Sequence, residues 1–183
     1  ENAPVVWRGP MLHRALQQFF ADVYWGDLDA LFIDLPPGTG DIAISVAQLI
    51  PGAEIVVVTT PQSAAADVAE RAGLMAQQTE QRVVGIIENM SYLAMPDGSK
   101  MPLFGAGGGD AVAVRLGQIL GYPIPVLARV PLEQALREGG DHGRPLAIAE
   151  GESEAAQQMR AAAETLAHRA RGLSGRSLGI KPL

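Results

Sequence analysis

The chain has 183 residues, 48% hydrophobic and 19% charged, which is enough for one domain with a core and too apolar for disorder. A net charge of -6 with scattered Lys and Arg excludes general nucleic-acid binding, and no apolar run approaches the ~20 residues that span a bilayer. The absence of cysteine excludes disulfides, a thiolate nucleophile and any Cys-ligated metal site built from these residues. With no signal peptide at its start, the chain is predicted to be cytoplasmic.

Helices and strands alternate in the first half of the sequence. Apolar residues from Leu12 to Val23 recur every three or four positions, which predicts a helix that packs by one face. The apolar run at residues 30–34 predicts a buried strand that ends at a carboxylate and a Pro-Pro-Gly breaker. A helix over residues 41–50 and a β-branched strand over residues 54–59 are predicted next.

The alternation continues in the second half. The patterns predict helices at 64–78 and 112–120, one starting at Leu132, and a last one around 156–166; strands are predicted at 83–88 and 126–130. Residues 90–109 are rich in glycine and proline and have no clear period. Strands that are apolar along their whole length and alternate with helices predict an α/β fold, a doubly wound and mostly parallel sheet.

In such sheets ligands bind beyond the carboxyl ends of the strands, so the residues that follow each apolar run are the candidates for chemistry. Asp34 ends the first predicted strand, and Gly38 follows four residues later. In a nucleoside triphosphatase this spacing suits an Asp that holds Mg²⁺ through water and a Gly whose N–H meets the terminal phosphate. The alternative is a carboxylate that starts an ordinary turn.

Two further strand ends fall at the same edge of the predicted sheet, and one of them is a candidate for base binding. Asn89 leaves the third strand, and its carboxamide has the donor and acceptor that adenine N7 and N6 require; the alternative is a turn residue. Pro131 stands where a strand meets the start of a helix, an ordinary position for proline. The run at residues 105–109 looks like a phosphate cradle, but it lacks the Lys-Ser/Thr pair and precedes Asp110, so it is interpreted as a flexible turn.

Together these pieces resemble the Mrp (ApbC-like) family, the iron–sulfur carrier ATPases of the MinD/ParA class of P-loop NTPases, across most of the chain. The segments that carry the resemblance are consecutive signatures of that family, found here at residues 7–11, 25–29, 33–41, 58–62, 88–91 and 104–108.

The resemblance implies a switch II segment from Asp34 to Gly38 with Mg²⁺ held through Asp34, and nucleotide contacts at Asn89, Pro131 and Glu133. It also implies an ATP-hydrolysing homodimer that delivers iron–sulfur clusters to client or assembly proteins. The family's Walker A loop precedes this region. Residues 1–170 are therefore expected to be the C-terminal part of a P-loop domain that is incomplete at its N-terminus and inactive by itself, with a flexible tail at 171–183.

One departure concerns the cluster. Family members hold it with a Cys-Pro-x-Cys stretch, whereas Met95 and Gly98 occupy the two cysteine positions here. Neither residue replaces a thiolate on iron, so the sequence is interpreted as a cysteine-free branch. The alternative function is a cluster-free MinD/ParA-like switch that recruits a partner. A Rossmann dehydrogenase is discounted, because no Gly-x-Gly-x-x-Gly turn follows a strand.

Overall fold

The structure is a computed structural model, and it describes residues 9–36, 40–62, 64–95, 97–148 and 153–169. The predicted tail at 171–183 lies outside these ranges. Among the described residues, none of the helices is both long and apolar enough to cross a membrane.

Strands and helices follow one another through these ranges. The strands are β1 (Glu54–Thr59), β2 (Arg82–Ala94), β3 (Lys100–Met101) and β4 (Val126–Leu132). The helices are α1 (Gly9–Asp22), α2 (Asp41–Leu49), α3 (Ala65–Gln78), α4 (Gly108–Leu120), α5 (Gln134–Asp141) and α6 (Glu154–His168), and a 3₁₀ turn spans Leu146–Ile148. Most of these elements match their predicted positions, and β1 matches to the residue.

The long strand β2 lies at the centre of the sheet. It pairs in parallel with β1, where Val57 lies opposite Ile86, and in parallel with β4, where Asn89 lies opposite Val130. The short strand β3 is antiparallel to the far end of β2. Leu93 pairs with β4 on one side and with β3 on the other. Strand β3 therefore lies on the same side of β2 as β1.

Helices cover both faces of this sheet. Side chains of α3 and α4, including Ala69 and Leu116, form one buried cluster with Ile86. On the opposite face, Ala155 of α6 packs with Ala128 and Val130 of β4. Successive strand residues point to opposite faces, so the apolar run of β2 supplies both clusters. The predicted doubly wound α/β fold is therefore confirmed.

The prediction of a buried strand at residues 30–34 is wrong. These residues have no regular secondary structure, and Leu31 and Phe32 are 43% and 77% exposed. A strand is stable only when a neighbour pairs with its backbone, and the described residues provide no such neighbour here.

The strand predicted at residues 83–88 is longer in the structure and runs into the stretch at residues 90–109, whose sequence has no clear period. Strand β2 continues beyond its predicted end to Ala94, and its last two residues pair with β3; this pair of strands is called here the β2–β3 hairpin. Asn89 lies opposite Val130 of β4, and Leu93 lies opposite Leu132. Three residues of β2 therefore face a single residue of β4 between these two pairs. This irregularity is called here the β2 bulge (residues 89–93). It places extra residues in β2 without ending the strand, so β2 continues through a stretch whose sequence does not alternate between apolar and polar residues.

Pro131 lies inside β4 and not at the start of a helix, because α5 begins only at Gln134. The side chain of Pro131 is fully buried. Proline has no N–H to offer a sheet, so it is tolerated at bulges, and Pro131 lies where β4 faces the β2 bulge.

Candidate functional site

The carboxyl ends of β1, β2 and β4 lie at one edge of the sheet, because the three strands are parallel. Thr59 ends β1, Glu88 and Asn89 precede the β2 bulge, and Pro131 follows the partner of Asn89 on β4. The structure thus brings two of the predicted nucleotide-binding residues, Asn89 and Pro131, onto neighbouring strands. This edge is where open α/β sheets bind their ligands.

Asn89 is half-buried, and the conformation of the next residue orients its side chain. Met90 has φ +55°, the left-handed region that residues with a side chain rarely adopt, and its N–H donates a 2.9 Å hydrogen bond to Asn89 Oδ1. The Nδ2 group of Asn89 has no hydrogen bond within the described residues and remains a donor for a ligand.

Glu88 is only 2% exposed, and sequence reasoning missed it. Its Oε2 accepts a 2.5 Å hydrogen bond from the N–H of Gly109, and its Oε1 accepts one from the hydroxyl of Ser91. A buried carboxylate is stable only when such donors satisfy it. The available signal was a carboxylate within an otherwise apolar run, although the partner Gly109 lies 21 residues away.

The glycine-rich segment, residues 105–109, leads into α4 and borders a cavity. The cavity has a volume of about 390 Å³ and is lined by Pro61, Gln62, residues 104–108 and Ala111. A Cβ atom at Gly108 would lie 2.4 Å from the carbonyl oxygen of Thr60, so only glycine allows α4 to begin so close to β1. The segment is therefore shaped by contact with the end of β1.

Thr59 is 4% exposed, and its Oγ1 has no hydrogen-bond partner among the described residues. Most buried hydroxyl groups in proteins are hydrogen-bonded, so this orphan group stands out at the ligand-binding edge of the sheet. Thr59 was not among the residues selected from the sequence, because a threonine at the end of a β-branched strand carries no distinctive signal.

Glu133, the third predicted nucleotide-binding residue, follows β4 and caps another helix. Its Oε1 accepts a 2.9 Å hydrogen bond from the N–H of Ala155, and its Oε2 accepts one from the hydroxyl of Ser153. A carboxylate at this position stabilises the amino end of α6. The predicted role of Glu133 in nucleotide binding stays a prediction.

Asp34 lies in the exposed segment that follows α1, and Gly38 lies outside the described residues. Among the described residues, no group of three or more His, Cys, Asp or Glu side chains could hold a metal ion. Proteins bind Mg²⁺ through one or two carboxylates together with phosphate oxygens and water, so the single carboxylate of Asp34 is the kind of protein ligand that this ion uses. The roles of Asp34 and Gly38 stay predictions.

Met95 and Gly98 flank the tip of the β2–β3 hairpin. The N–H of Gly98 donates to the carbonyl of Met95 at 2.9 Å, and Gly98 has φ +81°. Asp97 Oδ1 accepts hydrogen bonds from the N–H and hydroxyl of Ser99, at 2.9 and 2.6 Å, which lowers the pKa of the Asp97 carboxyl. These hydrogen bonds close the tip of the hairpin.

A polar network ties the base of this hairpin to α6. Tyr92 donates to Glu154 Oε1 at 2.6 Å, and Lys100 Nζ lies 2.9 Å from the Tyr92 hydroxyl and 2.7 Å from Glu154 Oε1. Burial raises the pKa of Tyr92, and the bond to Glu154 adds to this effect. The hydrogen bond from Lys100 lowers the pKa of Glu154, while Glu154 raises the pKa of Lys100.

A parallel sheet covered on both faces, with polar side chains at its carboxyl edge, defines a doubly wound α/β protein, a class that binds ligands at this edge. The model of one family in this class, described as ParA, the NUBPL iron-transfer P-loop NTPase, matches residues 1–167. The chain belongs to this family.

Curated relatives are similar over nearly the whole chain. A protein of Mycobacterium tuberculosis is 61% identical over 181 residues, which are 99% of this chain and 48% of the relative. A Synechocystis protein is 45% identical over 91% of this chain and 46% of its own length, and a Bacillus subtilis protein is 49% identical over 73% and 37%. All three are named iron–sulfur cluster carrier protein. The chain spans about half the length of the first two relatives.

Among solved structures, a nucleotide-binding protein of Archaeoglobus fulgidus in complex with ADP, with cobalt, is similar in fold. It is 36% identical, with a TM-score of 0.59, and the match covers 73% of this chain and 53% of the Archaeoglobus chain. These findings confirm the resemblance stated from the sequence. The names of the relatives support the carrier function and not the cluster-free switch.

Proposed function

We propose that the protein is an ATP-hydrolysing iron–sulfur cluster carrier or assembly factor. In this proposal it works as a cytoplasmic homodimer that serves iron–sulfur client proteins. The observation that carries the proposal is 61% identity over 181 residues to relatives named iron–sulfur cluster carrier protein. The NTPase family of the chain and the ADP in the Archaeoglobus structure support the nucleotide part.

In this proposal residues 1–170 contribute the base-binding edge and a carboxylate for the metal, and the phosphates are held mainly by residues that are not in these 183. Asn89 binds the base, beside Pro131 on the neighbouring strand β4. Mg²⁺, when bound, neutralises charge on the phosphates, and Asp34 and Gly38 lie at the terminal phosphate. We infer that the 183-residue chain alone does not hydrolyse ATP.

The cluster is the cargo of this proposed activity. The chain offers no thiolate, so the proposal takes Cys ligands for the cluster from residues other than these 183, or from a client. The β2–β3 hairpin, where the family's cysteines would stand, keeps a defined shape without them.

The test uses the protein at the length of its relatives, called the full-length form below. We expect it to hydrolyse ATP and, after loading with iron and sulfide without oxygen, to restore activity to an apo iron–sulfur enzyme. Two controls are needed. In the first, ATP is left out of the transfer reaction; in the second, a variant with an inactive phosphate loop is loaded with iron and sulfide and tested for transfer in the same way. ATP-dependent binding of a partner with no bound iron and no transfer would replace the carrier with the cluster-free switch.

A further inference from the structure

Glu88 is a buried titratable group that the proposed function does not yet use. It lies on the same face of β2 as Ile86, against α3 and α4, at the point where α4 begins. Because it is 2% exposed, water cannot replace any hydrogen bond that its carboxylate loses. Its two oxygens hold two different parts of the chain together.

The first contact fixes the β2 bulge. The hydroxyl of Ser91 donates to Glu88 Oε1 and closes a loop over the two residues between them, Asn89 and Met90. Met90 is left-handed within that loop, and its N–H holds Asn89 Oδ1. The Ser91 contact therefore supports the backbone conformation that aims the Asn89 carboxamide.

The second contact fixes the glycine-rich segment. Gly109 donates its N–H to Glu88 Oε2, and a Cβ at position 109 would lie 2.9 Å from that oxygen and 3.1 Å from Glu88 Cβ. The first turn of α4 can therefore approach Glu88 only with glycine at this position. The bond also occupies a backbone N–H that a phosphate cradle would use.

We propose that Glu88 is a positioning residue that joins the Asn89 bulge to the glycine-rich segment and so sets the base selectivity of the nucleotide site. The part of this proposal that concerns base selectivity rests on the proposed function, whereas the connection between the two segments does not. Asn89 contacts the base, and Glu88 acts through it. A shift of the bulge moves the Asn89 carboxamide, and the same shift loosens the amino end of α4.

The nucleotide arm compares variants of the full-length form by equilibrium titration with ADP and GDP, which differ only in the base. Ser91→Ala removes the contact that closes the bulge, and we expect the preference for ADP over GDP to fall about two- to tenfold. Glu88→Gln should remain near wild type, because its amide oxygen accepts from Gly109 while its NH₂ donates to Ser91. Ser45→Ala, which removes another buried hydroxyl, on α2, is the matched control and should leave the preference unchanged.

The second arm measures amide hydrogen exchange at Gly109 without nucleotide. We expect faster exchange in Glu88→Ala, and in Ser91→Ala if the former does not fold, with near wild-type protection in Glu88→Gln.

The two measurements distinguish a failure of the proposed base site at Asn89 from a failure of the proposed role of Glu88. If Asn89→Ala leaves the base preference intact, the proposed base site is wrong, and the Gly109 exchange rates still decide whether Glu88 joins the two segments. If Asn89→Ala changes the preference and Ser91→Ala does not, Glu88 has no positioning role. Unchanged exchange at Gly109 in the alanine variants, Glu88→Ala or Ser91→Ala, overturns the proposed connection.

Discussion

The hydroxyl of Tyr92 donates a 2.6 Å hydrogen bond to Glu154, joining the far end of β2 to the first turn of α6 across 62 residues of sequence. Lys100 of β3 completes the group through contacts with both side chains. These three side chains, which all have shifted pKa values, thus anchor the β2–β3 hairpin to helix α6.

These shifts define a pH window. The pKa of Glu154 lies below its ordinary 4.5, so its contribution to stability is present above pH 4.5 and is lost as pH falls through the lowered value. The pKa values of Lys100 and Tyr92 lie above 10.5 and 10.0, so their contributions are lost as pH rises through the raised values. The anchor is complete from weakly acidic to moderately alkaline pH.

We expect Glu154→Gln to lower the melting temperature near neutral pH, because it removes the charge partner of Lys100. Both side chains are partly exposed, so the loss is about 0.2–1 kcal/mol, or about 1–4 °C. Thermal unfolding at several pH values should show the gap shrinking as the pH falls through the lowered pKa of Glu154, because the carboxylate loses its charge there. Glu164→Gln on the same helix is the control, and an equal gap at low and neutral pH would contradict the prediction.

We expect Asn89→Ala in the full-length form to weaken ADP binding and reduce its preference over GDP. Phosphate contacts are common to both nucleotides, and a bidentate amide contact with adenine contributes about 1–3 kcal/mol, roughly a five- to 150-fold effect. Titration with both nucleotides measures it.

The companion variant is Asn89→Asp, which keeps the acceptor for the Met90 N–H, replaces the Nδ2 donor with an oxygen and adds a negative charge that acts equally on ADP and GDP. We expect it to lose base preference while the bulge stays in place. An affinity ratio unchanged in both variants would assign base selection to other residues, first to those beside Pro131 at the end of β4.

We expect Asp34→Asn in the full-length form to slow Mg²⁺-dependent ATP hydrolysis about 10- to 100-fold, the typical cost of losing a group that orients metal-bound water. Steady-state phosphate release measures the rate, and circular dichroism checks the fold. Asp27→Asn, which changes an exposed carboxylate in the same segment, should hydrolyse ATP at the wild-type rate. Normal turnover in Asp34→Asn would make Asp34 a turn residue.

We expect the 183-residue chain, treated with iron and sulfide without oxygen, to hold no Cys-ligated cluster, because it contains no cysteine. Visible absorption and iron content after desalting are the measurements. A relative that carries the cysteine pair, treated in parallel, shows that the loading conditions work. A stoichiometric chromophore on this chain would require ligands of another kind.

The sequence predicted those elements whose signal is local. The β-branched run of β1 and the periodic helices α1 and α4 were found from spacing alone, and Asn89 was placed at the correct edge of the sheet. The errors concern long-range pairing. Residues 30–34 have the composition of a strand, but strand formation depends on a neighbour, which composition does not report.

The same limit applies to the candidate site. Glu88 and Gly109 are 21 residues apart, and no pattern within either segment indicates that they meet. The left-handed backbone at Met90 allows β2 to continue through the bulge, yet methionine gives no sign of that conformation. The roles of Asp34, Gly38, Asn89, Pro131 and Glu133 in nucleotide binding remain predictions for the experiments above.

The pairing of β1 has a practical consequence for work with the 183-residue chain. Among the described residues β1 pairs only with β2 along its length, and Val58 is 59% exposed. An open strand edge rich in β-branched residues is a template for another chain, and the run from Ile55 to Thr59 carries no charge to prevent this. We therefore expect the 183-residue chain to associate edge to edge at high protein concentration, and we expect Val58→Lys to reduce this association.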